Sequence, residues 1–379
     1  MLPILLITLI FAYFIYGLHI LDLHKPALEA LCKPIGDWFG DAGNPVRAGV
    51  WAGAILLSVA SWLSPSTTLF NQMLPDFISI SIAVIIIDEL VQYRNHQQRK
   101  QEIFEQIESP VRDVAVEAIR LARKHKWLDE AVRKVNFSYT NLSGVNLREA
   151  NLREIDMLES NLQNADLSRA NLYGSNLLGA NLQEANITKT NLQESILAKT
   201  NLSRVIATSA DLRNADLSNA NLQEADLCKA NLQEAILKGA NLQAGRLRHA
   251  NLEAASLHVA NLQRTDLKKS NLQHANFWNA NLQSANLVRT NLQGANLWGT
   301  NLQLANLLSA DLRKANLAFA QFKGANLQKA KLQNANLMYA NFEETRLRGT
   351  QIGDATYNKA TIFPEGFDPV AAGAILVED

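Results

Sequence analysis

The side chains best suited to nucleophilic, acid–base or metal chemistry are seven histidines and two cysteines, and their spacing serves none of it. Cys32 and Cys228 stand far apart, with no CxxC or Cys/His spacing near either, so neither a zinc site nor a disulfide framework follows. The histidines are scattered: His249 and His258 map to opposite faces of the repeat, and no serine or cysteine nucleophile has a base and orienting acid in its neighbourhood. A phosphate-cradling glycine loop is also missing. No catalytic, cofactor-binding or metal-binding residues are assigned, and an enzyme is the least expected class. Thirty-six basic and thirty-six acidic residues cancel, so net charge points to no nucleic-acid partner.

What recurs at fixed spacing is apolar and structural. From Phe137 to Ile362 an apolar residue occupies every fifth position, usually leucine. Two positions earlier stands a small residue, mostly alanine, and between them Asn or Asp, giving A(N/D)LXX. A straight α-helix rotates about 500° in five residues and would scatter these leucines. In a flat strand an odd repeat would send them to alternate sides. Both can face inward only if the chain turns a corner once per pentad, and four near-right-angle corners close one coil of 20 residues, about 4.8 Å high.

The stretch "ANLQGANLWGTNLQLANLLSADLRKANL" resembles the pentapeptide-repeat family, over roughly residues 135–362. The resemblance implies an all-β solenoid, a right-handed quadrilateral β-helix of about eleven coils, in which the central Leu or Phe and the preceding small residue point inward. It also implies that the terminal "IFPEGFDPVAAGAILVE", 363–379 with its lead-in, closes the end. Many such relatives occur in photosynthetic bacteria, so a cyanobacterial-type member is expected. Ile196, Ile206, Ile236, Arg246 and Arg346 depart from Asn/Asp at the corner position.

Sorting positions by 20 turns the sequence into surfaces. Trp278 and Trp298 fall in one outward column, continued by Ala318 and Met338, with Phe319 and Tyr339 beside it; this is the candidate interaction surface, for a protein partner or for self-association. Two rings that merely shelter each other would give the same column. The opposite face carries twelve basic residues, Arg246, Arg248, Lys268, Lys269 and Arg289 among them, against Glu149, Asp166, Asp226 and Asp266. That face suits anionic lipid or an acidic partner, and equally an ordinary solvated face. Gln163, Gln183, Gln223, Gln243, Gln263, Gln283 and Gln303 form a third column, read as a structural amide ladder.

The elements before the repeats must place it. Residues 2–21 are apolar and uncharged, long enough for a membrane span. Residues 47–64 and 68–90 are second and third candidates, making 1–91 a membrane anchor of three spans. Basic residues between the first two spans and after the third put the remainder on the cytoplasmic side of a bacterial inner or thylakoid membrane. Residues 92–134 read as a helical stalk and cap: Ser109 and Pro110 as a helix start, then Val111, Val114, Ala115, Ala118, Ile119 and Ala122 as an apolar face covering the first coil. The expected function is a non-enzymatic, membrane-anchored scaffold whose rigid arm displays surfaces for protein–protein contact. A regulator bound to anionic lipid through the basic face is one alternative. Inhibition of a type II topoisomerase by DNA mimicry, implied by the resemblance to some soluble relatives, is another; it is disfavoured by twenty-three basic and twenty-two acidic residues over 135–379, because mimicry requires a strongly negative rod.

Overall fold

The computed structural model describes residues 68–107, 109, 111–125, 127 and 135–378. The candidate spans 2–21 and 47–64 lie outside them. The chain divides into two compact units, Met1–Arg99 and Lys100–Asp379. Helix α1, Thr68–Ile107, runs without a break through both the third candidate span and the stalk. Among the described residues no helix is long and apolar enough to cross a membrane.

Within the second unit, helix α2 (Arg112–Lys124) buries Ala115, Ala118, Ile119 and Ala122, which join Ile103, Ile107 and the first repeats in one apolar core. These positions recur at three-to-four spacing and share one helical face. The helix begins two residues later than Ser109-Pro110 suggested: Val111 is the N-cap residue and makes no side-chain cap. The Ser109 hydroxyl instead accepts the Val111 N–H at 3.2 Å, closing the turn before the helix. Val111 and Val114 are consequently exposed and not part of the covering face. Arg123 ties the helix to the repeats by donating to the carbonyls of Asn146 and Arg148 and to the Asn146 side-chain oxygen.

From Asn141 to Thr356 every inter-coil bridge joins residues 20 apart and parallel, so four pentads make one coil. The sides are short, one bridged residue flanking each corner, and among the described residues only one conventional strand pair occurs: β1 (Thr356–Tyr357) with β2 (Ile375–Leu376), in parallel. At nearly every corner a β-turn forms in which the central residue's carbonyl accepts the N–H three residues on, as Leu162 does from Ala165 at 3.0 Å. The second residue after each centre has positive φ at every repeat from Tyr139 to Asp354. Such φ is unfavourable for residues with a Cβ, most of all a β-branched one, and Val259 nevertheless holds +52°. The conformation is enforced by what lies on either side of it: a fully buried leucine, worth about 1.5–3 kcal/mol, and inter-coil backbone bonds at nearly every corner.

The Asn of A(N/D)LXX has two tasks. Its side-chain oxygen accepts the N–H two residues on, Gln243 onto Asn241 at 3.2 Å, and also the amide of the Asn one coil later, Asn261 onto Asn241 at 3.2 Å. Its own amide donates to the coil before, Asn241 onto Asn221 at 3.3 Å. Asp can accept but not donate, so Asp211 and Asp311 end such runs and are clasped instead by Arg213 and Arg313, at 2.7 and 2.6 Å. The Arg313 guanidinium, through its hydrogen bonds, holds the Asp311 carboxyl below its usual range. Ser and Thr replace Ala at the small position without leaving an orphan hydroxyl in most cases: Thr300 donates to Phe277 O at 2.8 Å. The Gln column is a ladder only in part, with bonds from Gln243 to Gln263 and from Gln263 to Gln283. The continuous amide ladders are those of Asn.

The pentad count overruns at the C-terminus. Asn341 bridges to Ile362, 21 residues on, and Ile362 is 51% exposed. One residue is added after Tyr357, where Asn358 turns inward and accepts the Tyr339 N–H at 3.1 Å. Phe363 therefore takes the inward place expected of Ile362 and stacks on Phe342 with ring centroids 5.5 Å apart. The Phe322, Phe342, Phe363 and Phe367 rings follow one another in sequence of contact, and β2 lies over β1 at this end.

Two substitutions test this account of the corners. Val259→Asn keeps the turn but removes the β-branch, and a gain of about 1 kcal/mol is expected. Gly294→Val places a Cβ 2.7 Å from His274 Nδ1 at φ +66°, and a loss of about 2 kcal/mol or more is expected. Thermal melting of each variant checks the signs; a destabilised Val259→Asn would contradict the assignment of strain.

Candidate functional site

The sequence-assigned residues Trp278, Trp298, Phe319, Met338 and Tyr339 are brought together on one side of the solenoid. Trp278 and Trp298 are stacked, ring centroids 5.8 Å apart and planes 22° from parallel, because they occupy the same outward position of neighbouring coils. The column does not continue straight. Ala318 has no ring to offer, and Phe319, from the next position along the turn, leans into that level, 5.2 Å from Trp298. Tyr339 then stacks on Phe319 at 4.5 Å and 6°. Ala318 lies buried within this level, 6% exposed. Four rings thus form one unbroken series over four coils.

The order of the rings decides what they can bind. Trp298 stacks on Trp278 and Phe319 on Tyr339, while Trp298 and Phe319 meet at 55°, so each ring has one face covered by its stacked partner. Trp278 stays 41%, Phe319 42% and Tyr339 36% exposed. A sugar or nucleobase that stacks flat would find the inner faces taken. An apolar groove that receives a row of ring edges would not. Met338 is half-buried beside Tyr339. Val259, not singled out by sequence, extends the patch one coil toward the N-terminus, 47% exposed, its N–H bonded to the Trp278 carbonyl at 2.9 Å. It shares the position of Phe319 and Tyr339 in the 20-residue sort, which is the signal that would have found it.

The basic face is less uniform than its residue count. Arg246 pairs with Asp226 at 3.2 Å and Arg248 with Asp266, while Arg169 pairs with Glu149 at 3.2 Å. The Asp266 carboxylate, bonded to Arg248, raises that guanidinium's pKa further above its usual value. Lys268, Lys269 and Arg289 are in no ion pair among the described residues. Cys228 lies beside these groups; burial and the neighbouring Asp226 push its thiol up, so it stays protonated and weakly nucleophilic. His249 and His258 lie on opposite sides, as the sort requires. Among the described residues no group of His, Cys, Asp or Glu is arranged to hold a metal ion.

Comparison with known proteins follows this geometry. A family model described as pentapeptide repeats matches in eight overlapping copies that together span residues 133–351. No curated protein matches the chain. Among solved structures, a pentapeptide repeat protein from Nostoc PCC 7120 is 39% identical over 27% of this chain and 84% of its own, with a TM-score of 0.27. HetL, a pentapeptide repeat protein involved in heterocyst differentiation regulation in Nostoc sp. strain PCC 7120, is 29% identical over 61% of this chain and 90% of its own, TM-score 0.25. A pentapeptide repeat protein from the cyanobacterium Cyanothece 51142 is 36% identical over 30% of this chain and 63% of its own, TM-score 0.16. With A(N/D)LXX in register over more than half of the chain and every corner built the same way, the chain belongs to the pentapeptide repeat family.

Proposed function

We propose that this protein is a non-enzymatic scaffold whose repeat solenoid holds a rigid aromatic ridge for docking a partner protein. The observation that carries the reading is the four-ring series from Trp278 to Tyr339, in which Trp278, Phe319 and Tyr339 stay exposed although the interior is already filled by leucine. Exposed aromatic residues on a rigid backbone lose little side-chain entropy on binding, which is why such residues dominate interface energetics. The ridge exposes on the order of 300 Å², the size of the largest apolar patch on many monomers. A stable homodimer needs roughly 800 Å² from each partner, so the ridge alone supports an anchor within a wider heterotypic contact better than it supports self-association.

The scaffold is proposed to act at a membrane, held by the apolar segments of residues 1–91, with the repeats on the cytoplasmic side of a bacterial inner or thylakoid membrane. Supporting this are the uncharged run 2–21 and the exposed Ile86, Ile87, Leu90 and Val91 of α1. Topoisomerase inhibition gains no support, since it needs a strongly acidic rod and one side of this solenoid is basic.

Proximity labelling from the C-terminus in the native cell, comparing the natural chain with Trp278→Ser/Trp298→Ser, tests both parts. The variant is expected to retain labelling of membrane proteins and to lose a defined subset of neighbours by about tenfold or more. An unchanged neighbour set would remove the ridge as a docking surface, and a neighbour set without membrane proteins would remove the anchor.

A further inference from the structure

A different surface carries a second inference, independent of the aromatic ridge. Lys229, His249, Lys269 and Arg289 occupy the positive-φ position of four successive coils, all exposed and one above another at the same corner. Lys268 stands beside Lys269. The carboxylates of this band, Asp226 and Asp266, are committed to Arg246 and Arg248. What remains outside ion pairs over these coils is Lys229, Lys269 and Arg289 along one edge of the solenoid, with His249 between the first two and Lys268 beside the second. Apart from Lys268, the neighbouring column over these coils is paired or uncharged, with Cys228, the paired Arg248, Val288 and Leu308.

We propose that this line is a docking site for the acidic face of an α-helix of a partner protein. Line geometry separates this occupant from others. Successive positions of the line are about 4.8 Å apart along the axis, so the three steps from Lys229 to Arg289 cover about 14 Å. Carboxylates at every third or fourth residue of an α-helix recur once per turn, about 5.4 Å, and three turns cover about 16 Å. Alternate residues of a strand recur at about 6.7 Å and drift by about 6 Å over the same three steps. Lysine and arginine side chains absorb the first mismatch and not the second. A bilayer would press on a whole side, where over these coils Arg246 and Arg248 are already paired. Because the line lies opposite the aromatic ridge, one flat partner surface cannot engage both.

The test uses the full-length protein in a non-ionic detergent and a labelled 18-residue peptide with Glu at every third or fourth position of an Ala/Gln helix. A second peptide has the same composition with Glu at alternating positions, and vesicles containing phosphatidylserine are the third probe. At low salt the helical peptide is expected to bind about tenfold more tightly than the alternating one, with the difference shrinking as salt is raised. Lys269→Glu/Arg289→Glu is expected to weaken it about tenfold or more, while Lys314→Glu, on another side, changes it less than about twofold. Melting curves confirm that both variants are folded. Equal binding of the two peptides overturns the proposal. So does insensitivity to the double reversal, or vesicle binding that depends on Lys269 and Arg289 when the peptide does not bind.

Discussion

One oxygen atom per corner ties the molecule together. Among the described residues the side-chain oxygen of every corner Asn or Asp except Asn151 closes its own turn by accepting the N–H two residues on, and many also accept the amide of the Asn one coil later in the 20-residue register. Local and long-range structure are thereby fixed by the same atom. A slip by one pentad would still bury leucines, but it would move every residue a quarter of the way round. The paired corners, the small residue before each Asn, and the buried centre then specify one register jointly. Because each coil touches only its neighbours, stability accrues coil by coil, and the ends need closing: α2 with Ile103 and Ile107 at one, the Phe342–Phe363–Phe367 rings and β2 at the other.

The register also makes the surface. Positions 20 apart in sequence become neighbours at about 4.8 Å, so a substitution pattern too sparse to notice along the chain becomes a continuous feature in space. Rings stack, amides ladder, and charges form axial pairs such as Glu184, Arg204 and Glu224, joined at 3.6 and 3.0 Å. Backbone strain of the positive-φ corners is the cost of this geometry, borne by Val, Leu, Phe and Tyr at positions where Gly would be free of it. At Phe319 and Tyr339 the strained corner positions are the ones that hold the ridge's rings.

Much of this was legible in the residues. The five-residue period excluded helix and flat strand, and counting by 20 brought Trp278 to Trp298 and placed the basic residues on the opposite side. Other features depended on packing that counting does not see. The ring series swerves at Ala318 because a missing ring leaves room that Phe319 fills. Ile362 has the right spacing and the wrong place, since one added residue after Tyr357 lets Asn358 turn in and hands the core to Phe363. Counting gives the basic side its residues but not their pairing: Asp226 and Asp266 neutralise Arg246 and Arg248, leaving Lys268, Lys269 and Arg289 outside ion pairs. Ser109 and Pro110 had the composition of a helix start, but the hydroxyl satisfied the preceding turn. The amide ladder was sought in Gln, whose longer side chain wanders, when the shorter Asn keeps the register.

The 20-residue register can be measured directly. With Cys32 and Cys228 replaced by Ser, cysteines introduced at Gln243 and Gln263, whose side chains are 3.2 Å apart, lie within the ~4.4–6.8 Å Cα spacing a disulfide needs. The account predicts rapid oxidative crosslinking of that pair in the folded protein, and none for cysteines at Gln243 and His258, one corner out of register. Crosslinking of the second pair, or failure of the first, would contradict the coil on which every surface described above depends.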